Sequence, residues 1–370
     1  MAKLQKVKTF NFTVKLGQIK DLNSVFPTND SGTMIRLNLP VTDGKSVVYV
    51  SQTGFNNAGK SFKTQFVYEN GEKKEYKTEE VKWEDRFNAD LMGKLSPFKK
   101  YVLSTTEGER QEFMTSYDLI LAIKDAMIQG KLINDTLYIR GDFKKNKYVS
   151  SKTGKTVIND VFEVQSIMVS KSEKLFMGGE MTFLFRDEAL DIESGKAKKQ
   201  VYVDGYIQDY DKDIKGDNMY KQVFVMDYSH FDSLTPEVRE AEVKKFSLMK
   251  QCLTRTSGVH EFGFVVEFVK GSVEAELKQE DLTEFEAMCL ENGYTMEDIK
   301  KARGMKKEYT NEIRLISPLL SRFPRGTVAH EDLTVADLKH KDAVSYVSAA
   351  QIDSEPVFGT VEITPDDLPF

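Results

Sequence analysis

Apolar and polar residues alternate along the first part of the chain in a way that predicts β-strands. Apolar residues occupy every second position at 10–14, and the unbroken apolar run at 47–50 is typical of a strand covered on both faces. Alternation returns at 62–68 and ends at Asn70-Gly71, a pair that supplies the positive φ angles of a two-residue hairpin turn. These patterns indicate a strand-rich first region.

The spacing changes to that of a helix at 116–129, where apolar residues recur every third or fourth position and Gly130 follows. Thr235-Pro236 predicts the start of a second helix, which runs to about residue 252, because proline is favoured at the first helical position. Apolar runs predict further strands on either side of these helices, at 137–143, 161–169, 181–185, 201–206, 223–226 and 262–268.

Each half of the chain therefore shows strands, one helix and then more strands. This is the element order of an OB fold, a five-stranded Greek-key barrel with a helix before its fourth strand. We predict a mainly β (α+β) protein with tandem OB-fold-like barrels, one with extra strands at 1–172 and the other at 173–278. A shared pattern at 137–141 and 201–205, apolar-Tyr-apolar-charged-Gly, favours duplication. An unrelated α+β protein with two sheets is the alternative.

The pattern becomes helical in the region that follows. Thr283 to Glu286 and Thr295 to Asp298 have the spacing of capping boxes, in which a threonine and an acidic residue cap the same helix start. Apolar residues at 311–323 suggest a further helix, interrupted at Pro318. We predict a small helical C-terminal appendage at 279–340.

The composition is that of a soluble globular chain of 370 residues, 40 % hydrophobic and 30 % charged. Its formal net charge is −6, so a bound polyanion would require cations gathered on one face. No apolar run approaches the ~18 residues of a membrane-spanning helix, and the basic start lacks the apolar stretch of a signal peptide. Cys252 and Cys289 lack metal or redox spacing. We therefore expect reduced thiols, no membrane association and cytoplasmic localisation.

Three clusters combine cations with aromatic residues, the mixture that single-stranded nucleic acid requires. Lysine and arginine bind the phosphates along the backbone. Each base stacked on an aromatic side chain contributes roughly 1–3 kcal/mol to the binding free energy, with little sequence preference. The candidate DNA-binding residues are Arg140, Phe143, Lys144, Lys145, Lys147, Tyr148, Lys152 and Lys155 in the densest basic stretch, Tyr206, Tyr210, Tyr220 and Lys221 in the second half, and Trp83, Arg86, Phe87, Lys99 and Lys100. The competing interpretation is that the basic stretch is only solvated and that the aromatic residues belong to the core.

A Walker A pattern is present at 54–61, Gly-Phe-Asn-Asn-Ala-Gly-Lys-Ser. Phosphate binding by this motif needs a helix to begin at Lys60, because the N-terminal amides of that helix hold the phosphates. The alternation at 62–68 predicts a strand there instead. We therefore interpret 56–59 as the tip of a hairpin, from which Lys60 and Lys63 contact DNA phosphates. A P-loop NTPase is kept as the third candidate function.

Catalytic and metal sites are not indicated. Asp227, His230 and Asp232 offer oxygen and nitrogen ligands close together, but no second cluster accompanies them, and such residues are common in turns. No pairing of a nucleophile with a base stands out. We therefore expect a protein that is not an enzyme and that uses no cofactor and no metal.

The C-terminal segment has the composition of a tethered recognition tail. Beyond Lys341 it contains acidic but no basic residues, which predicts an acidic flexible tail at 341–370. The sequence given ends in a short tip made of Asp366, Asp367, Leu368, Pro369 and Phe370. This tip resembles the Asp-Asp-Ile/Leu-Pro-Phe terminus of bacterial single-stranded DNA-binding proteins. The resemblance implies that the tip binds replication and recombination proteins, with its apolar side chains in a pocket and its carboxylates against basic residues.

We expect a phage-encoded protein that binds and protects single-stranded DNA in DNA replication and recombination and recruits partners through its tip. Its size and tandem barrels differ from the small bacterial proteins, whose core sequence does not match this chain. The alternative function is a replisome adaptor that is not an enzyme and that binds proteins through the tail.

Overall fold

The computed structural model describes residues 4–70, 73–105, 110–150, 154–254, 257–273, 282–303, 308–334, 336–339 and 347–348. The expectation of a mainly β protein with helices (α+β) is confirmed, because strands outnumber helices in both halves of the described residues. The strands of the first half are β1 (Lys8–Leu16), β2 (Met34–Thr42), β3 (Val47–Phe55), β4 (Ser61–Asn70), β5 (Lys73–Lys82), β6 (Tyr101–Ser104), β7 (Arg110–Phe113), β8 (Leu137–Val149) and β9 (Thr156–Val169). Those of the second half are β10 (Phe176–Arg186), β11 (Leu190–Asp191), β12 (Gln200–Asp211), β13 (Gly216–Asp227), β14 (Val259–Val273), β15 (Glu308–Pro318), β16 (Val328–Ala329) and β17 (Val347–Ser348).

The helices are short apart from two. They are α1 (Leu22–Val25), α2 (Ala89–Lys94), α3 (Ser116–Ile128), α4 (Pro236–Leu253), α5 (Glu284–Glu291) and α6 (Met296–Ala302), with 3-10 helices at Trp83–Phe87, Pro97–Lys99, Lys196–Lys198 and Ser229–Ser233. The two helices predicted from apolar spacing and proline position are confirmed as α3 and α4. Both predicted capping boxes are also confirmed, since threonine and acid exchange hydrogen bonds at the starts of α5 and α6.

Five strands of the first half form a closed set, which we call the first barrel. β1 pairs with β2, β2 with β3, β3 with β9, β9 with β8, and β8 returns to β1. All these pairings are antiparallel except that between β3 and β9, which is parallel with Val50 opposite Phe162. Helix α3 lies between β3 and β8 in the chain, and its Tyr117 backbone approaches Gly54 so closely that a Cβ there would lie 2.4 Å from the Tyr117 Cα.

Five strands of the second half close in the same order, and we call them the second barrel. β10 pairs with β12, β12 with β13, β13 with β15, β15 with β14, and β14 with β10. Again only the third pairing is parallel, with Phe224 opposite Ile313. Helix α4 lies between β13 and β14 in the chain, the position that α3 has in the first barrel.

The first strands of the two barrels pair with each other, so the sheet is continuous. β1 and β10 are antiparallel, with Phe10 opposite Gly179. On their other edges Phe10 faces Gly141 of β8 and Gly179 faces Val266 of β14, and β8 and β14 each have a register shift immediately before that residue. The barrels are therefore related by an approximate twofold axis at this pair. Glycine is required at 179, because a Cβ would lie 2.2 Å from the Thr9 carbonyl oxygen.

The core also crosses from one barrel to the other. Phe268 of β14 stacks on Phe143 with 5.4 Å between ring centroids, and it meets Phe162 edge-on at 4.9 Å and Phe12 at 5.8 Å. All four side chains are buried. Aromatic pairs of this kind contribute about 0.5–1.5 kcal/mol each beyond the burial of area. The sheet and this cluster thus span the predicted domain boundary at 172/173, and the predicted division into domains stays a prediction.

Three expectations about individual segments are corrected. The segment 311–323, predicted to be helical, contains most of β15, which is hydrogen-bonded to β13 and β14. The resemblance between 137–141 and 201–205 does not mark a repeat, because β8 is the fourth strand of its barrel and β12 the second. The segment 56–59 is not a hairpin tip, because the strands on either side of it, β3 and β4, do not pair with each other. β4 instead pairs with β5 in a separate two-stranded sheet, and this pairing on either side of residues 71–72 was predicted.

Candidate nucleic-acid interface

The densest basic stretch lies mainly between the barrels. The Lys145 ammonium donates to Asp160 at 2.6 Å and to Gln222 at 2.6 Å, and its side chain is only 6 % exposed. Lys147, 14 % exposed, lies 3.1 Å from Asp211 and 2.7 Å from Asp213. These two lysines on β8 thus bind acids and an amide, mostly in the second barrel. Their predicted role as phosphate contacts is corrected, because their charges are already buried against acidic partners.

Asp160 is the centre of this network. Its two carboxylate oxygens accept from Lys145 and, at 2.9 Å, from Lys270 of the second barrel. Burial opposes ionisation of Asp160, but the attraction of the two ammonium groups and their hydrogen bonds outweigh it and hold the pKa well below its ordinary value. The carboxylate therefore stays charged and links the two barrels.

Other members of the stretch remain at the surface. Arg140 is exposed on β8, Lys155 is exposed beside β9, Tyr148 is half-buried, and Lys144 is exposed and paired with Glu163. Phe143 is fully buried in the aromatic cluster, so its predicted stacking on a base is corrected. Lys152 lies outside the described residues.

Two of the candidates around residue 83, Trp83 and Arg86, have structural roles. Trp83 is 5 % exposed and packs against Phe62 and Tyr117. Arg86 lies over the Trp83 ring at 4.3 Å and over the Phe87 ring at 4.2 Å, and its guanidinium donates to the buried Asp118 carboxylate. The role predicted for Trp83 is corrected, because a buried ring has no face to offer a base.

Phe87 is 59 % exposed, so one of its faces remains available. Lys99 is exposed, as are Lys60 and Lys63, whereas Lys100 is half-buried and donates to Glu112 at 2.8 Å. Lysine side chains and one aromatic ring are therefore exposed to solvent in this part of the first half.

In the second barrel the candidates divide between core and surface. Tyr220 is 2 % exposed, and burial together with the Asp211 carboxylate raises the pKa of its hydroxyl, so its predicted stacking role is corrected. Tyr206 and Lys221 are directly opposite on β12 and β13. Lys221 pairs with Asp204 at 2.8 Å, and Tyr210 is 57 % exposed.

The second barrel is partly covered by residues that precede β1 and residues that follow β16. Leu333 and Leu338, which follow β16, and Leu4 pack with Leu184 and Met219 on the side where Tyr206 also lies. β16 pairs with β14, and the nearby His330 ring contacts the Glu261 carboxylate at 2.9 Å, both side chains being buried. We call residues 328–334 and 336–339 the C-terminal strap. The C-terminal strap therefore reduces the area of the second barrel's outer face that a ligand can reach.

The outer face of β3 carries two rings that the sequence patterns did not single out. Tyr49 is 63 % exposed and Phe55 is 55 % exposed, and both alternate with the buried Val48, Val50 and Gln52. On the neighbouring strand Tyr49 faces Pro40 and Phe55 faces Met34. This alternation was not recognised in the sequence, because Tyr49 was counted as part of the apolar run at 47–50.

The Walker A pattern does not form a phosphate loop. The Lys60 amide donates to the Asn57 carbonyl in a turn in which Gly59 has φ +72°, and β4 begins at Ser61. No helix N-terminus is therefore present at Lys60, and Gly54 serves the close approach of α3. The geometry does not support the P-loop NTPase.

The polar cluster at 227–232 is likewise held by cations. Asp227 pairs with Arg314 at 2.9 Å, and Asp232 pairs with Lys199 and Arg239. Within the described ranges no group of three His, Cys, Asp or Glu side chains could hold a metal ion. In that same part of the chain no helix is long and apolar enough to cross a membrane.

The predicted partner-binding tip, residues 366–370, lies outside the described residues. Before it, β17 pairs in parallel with β9.

Comparisons of the chain with protein-family models, with curated proteins and with solved structures gave no match.

Proposed function

We propose that the protein binds single-stranded DNA and that each barrel is an OB fold. The strand order 1-2-3-5-4-1, the parallel pairing of the third and fifth strands, and the helix between the third and fourth strands support this in both barrels. The fold alone does not define a ligand, so the function rests on the surface of these strands.

The observation that carries the proposal is the pair of exposed rings on β3. In OB folds the face made by the second and third strands binds oligonucleotides. Tyr49 and Phe55 lie on that face of the first barrel and offer flat surfaces for bases, while Lys60 and Lys63 follow directly in the chain. Rings with nearby cations bind single strands with little sequence preference. The covered second barrel contributes less to binding.

A fluorescence titration with poly-dT tests the proposal. We expect submicromolar affinity that falls steeply with salt, because phosphate binding releases counterions. Tyr49→Ala and Phe55→Ala should each weaken binding by about 5- to 150-fold, the equivalent of one lost stacking contact. Phe285→Ala, which removes a ring that is 68 % exposed on α5, is the matched control and should leave affinity unchanged.

Absence of poly-dT binding by the wild-type chain would favour the alternative, a replisome adaptor without enzymatic activity. In the proposed role the protein is phage-encoded, acts in the cytoplasm of a bacterial host, and protects single strands during replication and recombination. The acidic tip, by its resemblance to bacterial single-stranded DNA-binding proteins, recruits partner enzymes in that process.

A further inference from the structure

The β4–β5 hairpin is an insertion outside the first barrel with two different faces. One face packs on a small core of its own, in which Phe66 and Val81 meet Leu95 and Met114. Strand alternation places the remaining residues of β4 and β5 on the opposite face. That second face contains Lys63, Gln65, Val67 and Glu69 of β4 and, opposite them, Glu80, Thr78, Tyr76 and Lys74 of β5.

The second face has the chemistry of a nucleic-acid surface more than that of a protein-docking surface. Tyr76 is 45 % exposed, and Lys63, Lys74 and Lys82 are exposed. Val67 is its one aliphatic side chain among the described residues, so it lacks the apolar stripe that a partner helix needs. Glu69 and Glu80 lie on the same face, so its three lysines leave a charge balance of about +1. An exposed ring with lysines on both strands suits bases and phosphates.

Phe98 joins this face to the first barrel. Its ring, 71 % exposed, lies 6.5 Å from the Tyr76 ring, and its carbonyl accepts from the Gln165 amide of β9 at 2.8 Å. β9 pairs with β3 as far as Glu163, which is opposite Ser51, and from Ser166 onward it pairs with β6, so Gln165 lies where β9 separates from β3. Phe98 therefore links the second face of the hairpin to β9, the strand next to β3 in the first barrel.

We propose that a DNA single strand bound on the outer face of β3 continues onto the second face of the β4–β5 hairpin, with bases stacked on Phe98 and Tyr76 and phosphates near Lys63. This inference rests on the proposed function and assigns a second segment to the binding site. The hairpin then lengthens the site beyond what one barrel face covers.

Binding of oligo-dT of two lengths tests the inference, with about 6 and about 16 nucleotides spanning the usual site sizes of OB folds. The double variant Tyr76→Ala/Phe98→Ala should lose at least about ten-fold in affinity for the long oligonucleotide and keep wild-type affinity for the short one. Both side chains are exposed, so thermal unfolding should be unchanged. Phe285→Ala should match the wild type at both lengths.

Two results would overturn the inference. Unchanged affinity of the double variant for the long oligonucleotide would show that the hairpin does not touch DNA. An equal loss at both lengths would place the rings within the primary site. The proposed function fails separately, if the wild-type chain binds neither oligonucleotide or if Tyr49→Ala has no effect while the hairpin variant does.

Discussion

At the scale of single residues, Asp160 shows how charge is used to hold this molecule together. Its carboxylate is buried and shared by Lys145 of one barrel and Lys270 of the other, and each lysine also lies over a phenylalanine ring, Phe143 and Phe162 respectively. A buried pair of this kind contributes little compared with a well-packed apolar contact, but breaking it leaves an uncompensated charge. The network therefore makes the arrangement of the barrels sensitive to any one of its members.

Replacing Asp160 with Asn should destabilise the protein by about 3–5 kcal/mol, because two buried ammonium groups lose their counter-charge. The pKa of Asp160 is lower in the folded than in the unfolded state, so its stabilisation is present above pH ~4 and is lost as the pH falls further. Urea unfolding of wild type and variant at several pH values measures both effects. The difference between them should shrink below pH ~4.

The control for this experiment is Asp213→Asn. Asp213 also pairs with a lysine of the first barrel, Lys147, but its side chain is 68 % exposed. Exposed pairs contribute roughly 0–1 kcal/mol, so stability should hardly change. An Asp160→Asn variant as stable as this control would show that the network is dispensable.

At the scale of elements, β15 is the clearest case of tertiary context overriding a local pattern. Apolar residues at 313, 316, 319 and 320 fit one face of a helix, yet Ile313 and Leu315 point into the core and Leu320 is 57 % exposed. The segment becomes a strand because β14 and β13 each offer it a free edge, and without it the second barrel would stay open.

The observed strand and the helix predicted for this segment differ in which leucine is buried. We expect Leu315→Ala to destabilise the protein by about 2–5 kcal/mol, as for a large-to-small substitution in a core, and Leu320→Ala by less than about 0.5 kcal/mol. Chemical denaturation of the two variants measures this difference. A helix with the predicted face would give the reverse order.

At the scale of the whole molecule, the two barrels share one sheet and one core. The β1–β10 pairing joins them, Phe268 completes the aromatic cluster of the first barrel, and Lys147 of β8 pairs with Asp211 of β12. One continuous cluster of buried apolar residues therefore includes residues of both barrels.

The full chain should consequently unfold in a single calorimetric transition. Phe268→Ala should lower the midpoint of this transition, because the substitution reduces the free energy of unfolding by about 3–5 kcal/mol. Hydrogen exchange should show reduced protection in β9 as well as β14. Phe285→Ala, at an exposed position outside both barrels, should change neither. Two separate transitions, or a loss of protection confined to β14, would contradict a shared core.

How far the sequence alone predicts this protein depends on how local each feature is. Strand alternation around β1 and β4, the start of α4 at Pro236 and the capping boxes are set by neighbouring residues, so their patterns identified them. The order of strands and helices could be predicted for the same reason as far as β14, but β15, the fifth strand of the second barrel, was predicted to be helical. None of this required knowledge of which strands pair.

Tertiary structure alone decided which side chains face solvent and which charges are already paired. Lys145 and Lys147 belong to the most basic stretch, yet Asp160 of β9 binds the first and Asp211 of the second barrel binds the second. Tyr49 and Phe55 are exposed on a strand that begins with the apolar run 47–50. β15 likewise took its conformation from β13 and β14. The physical reason is that burial and ion pairing depend on residues distant in the chain, which local spacing does not encode.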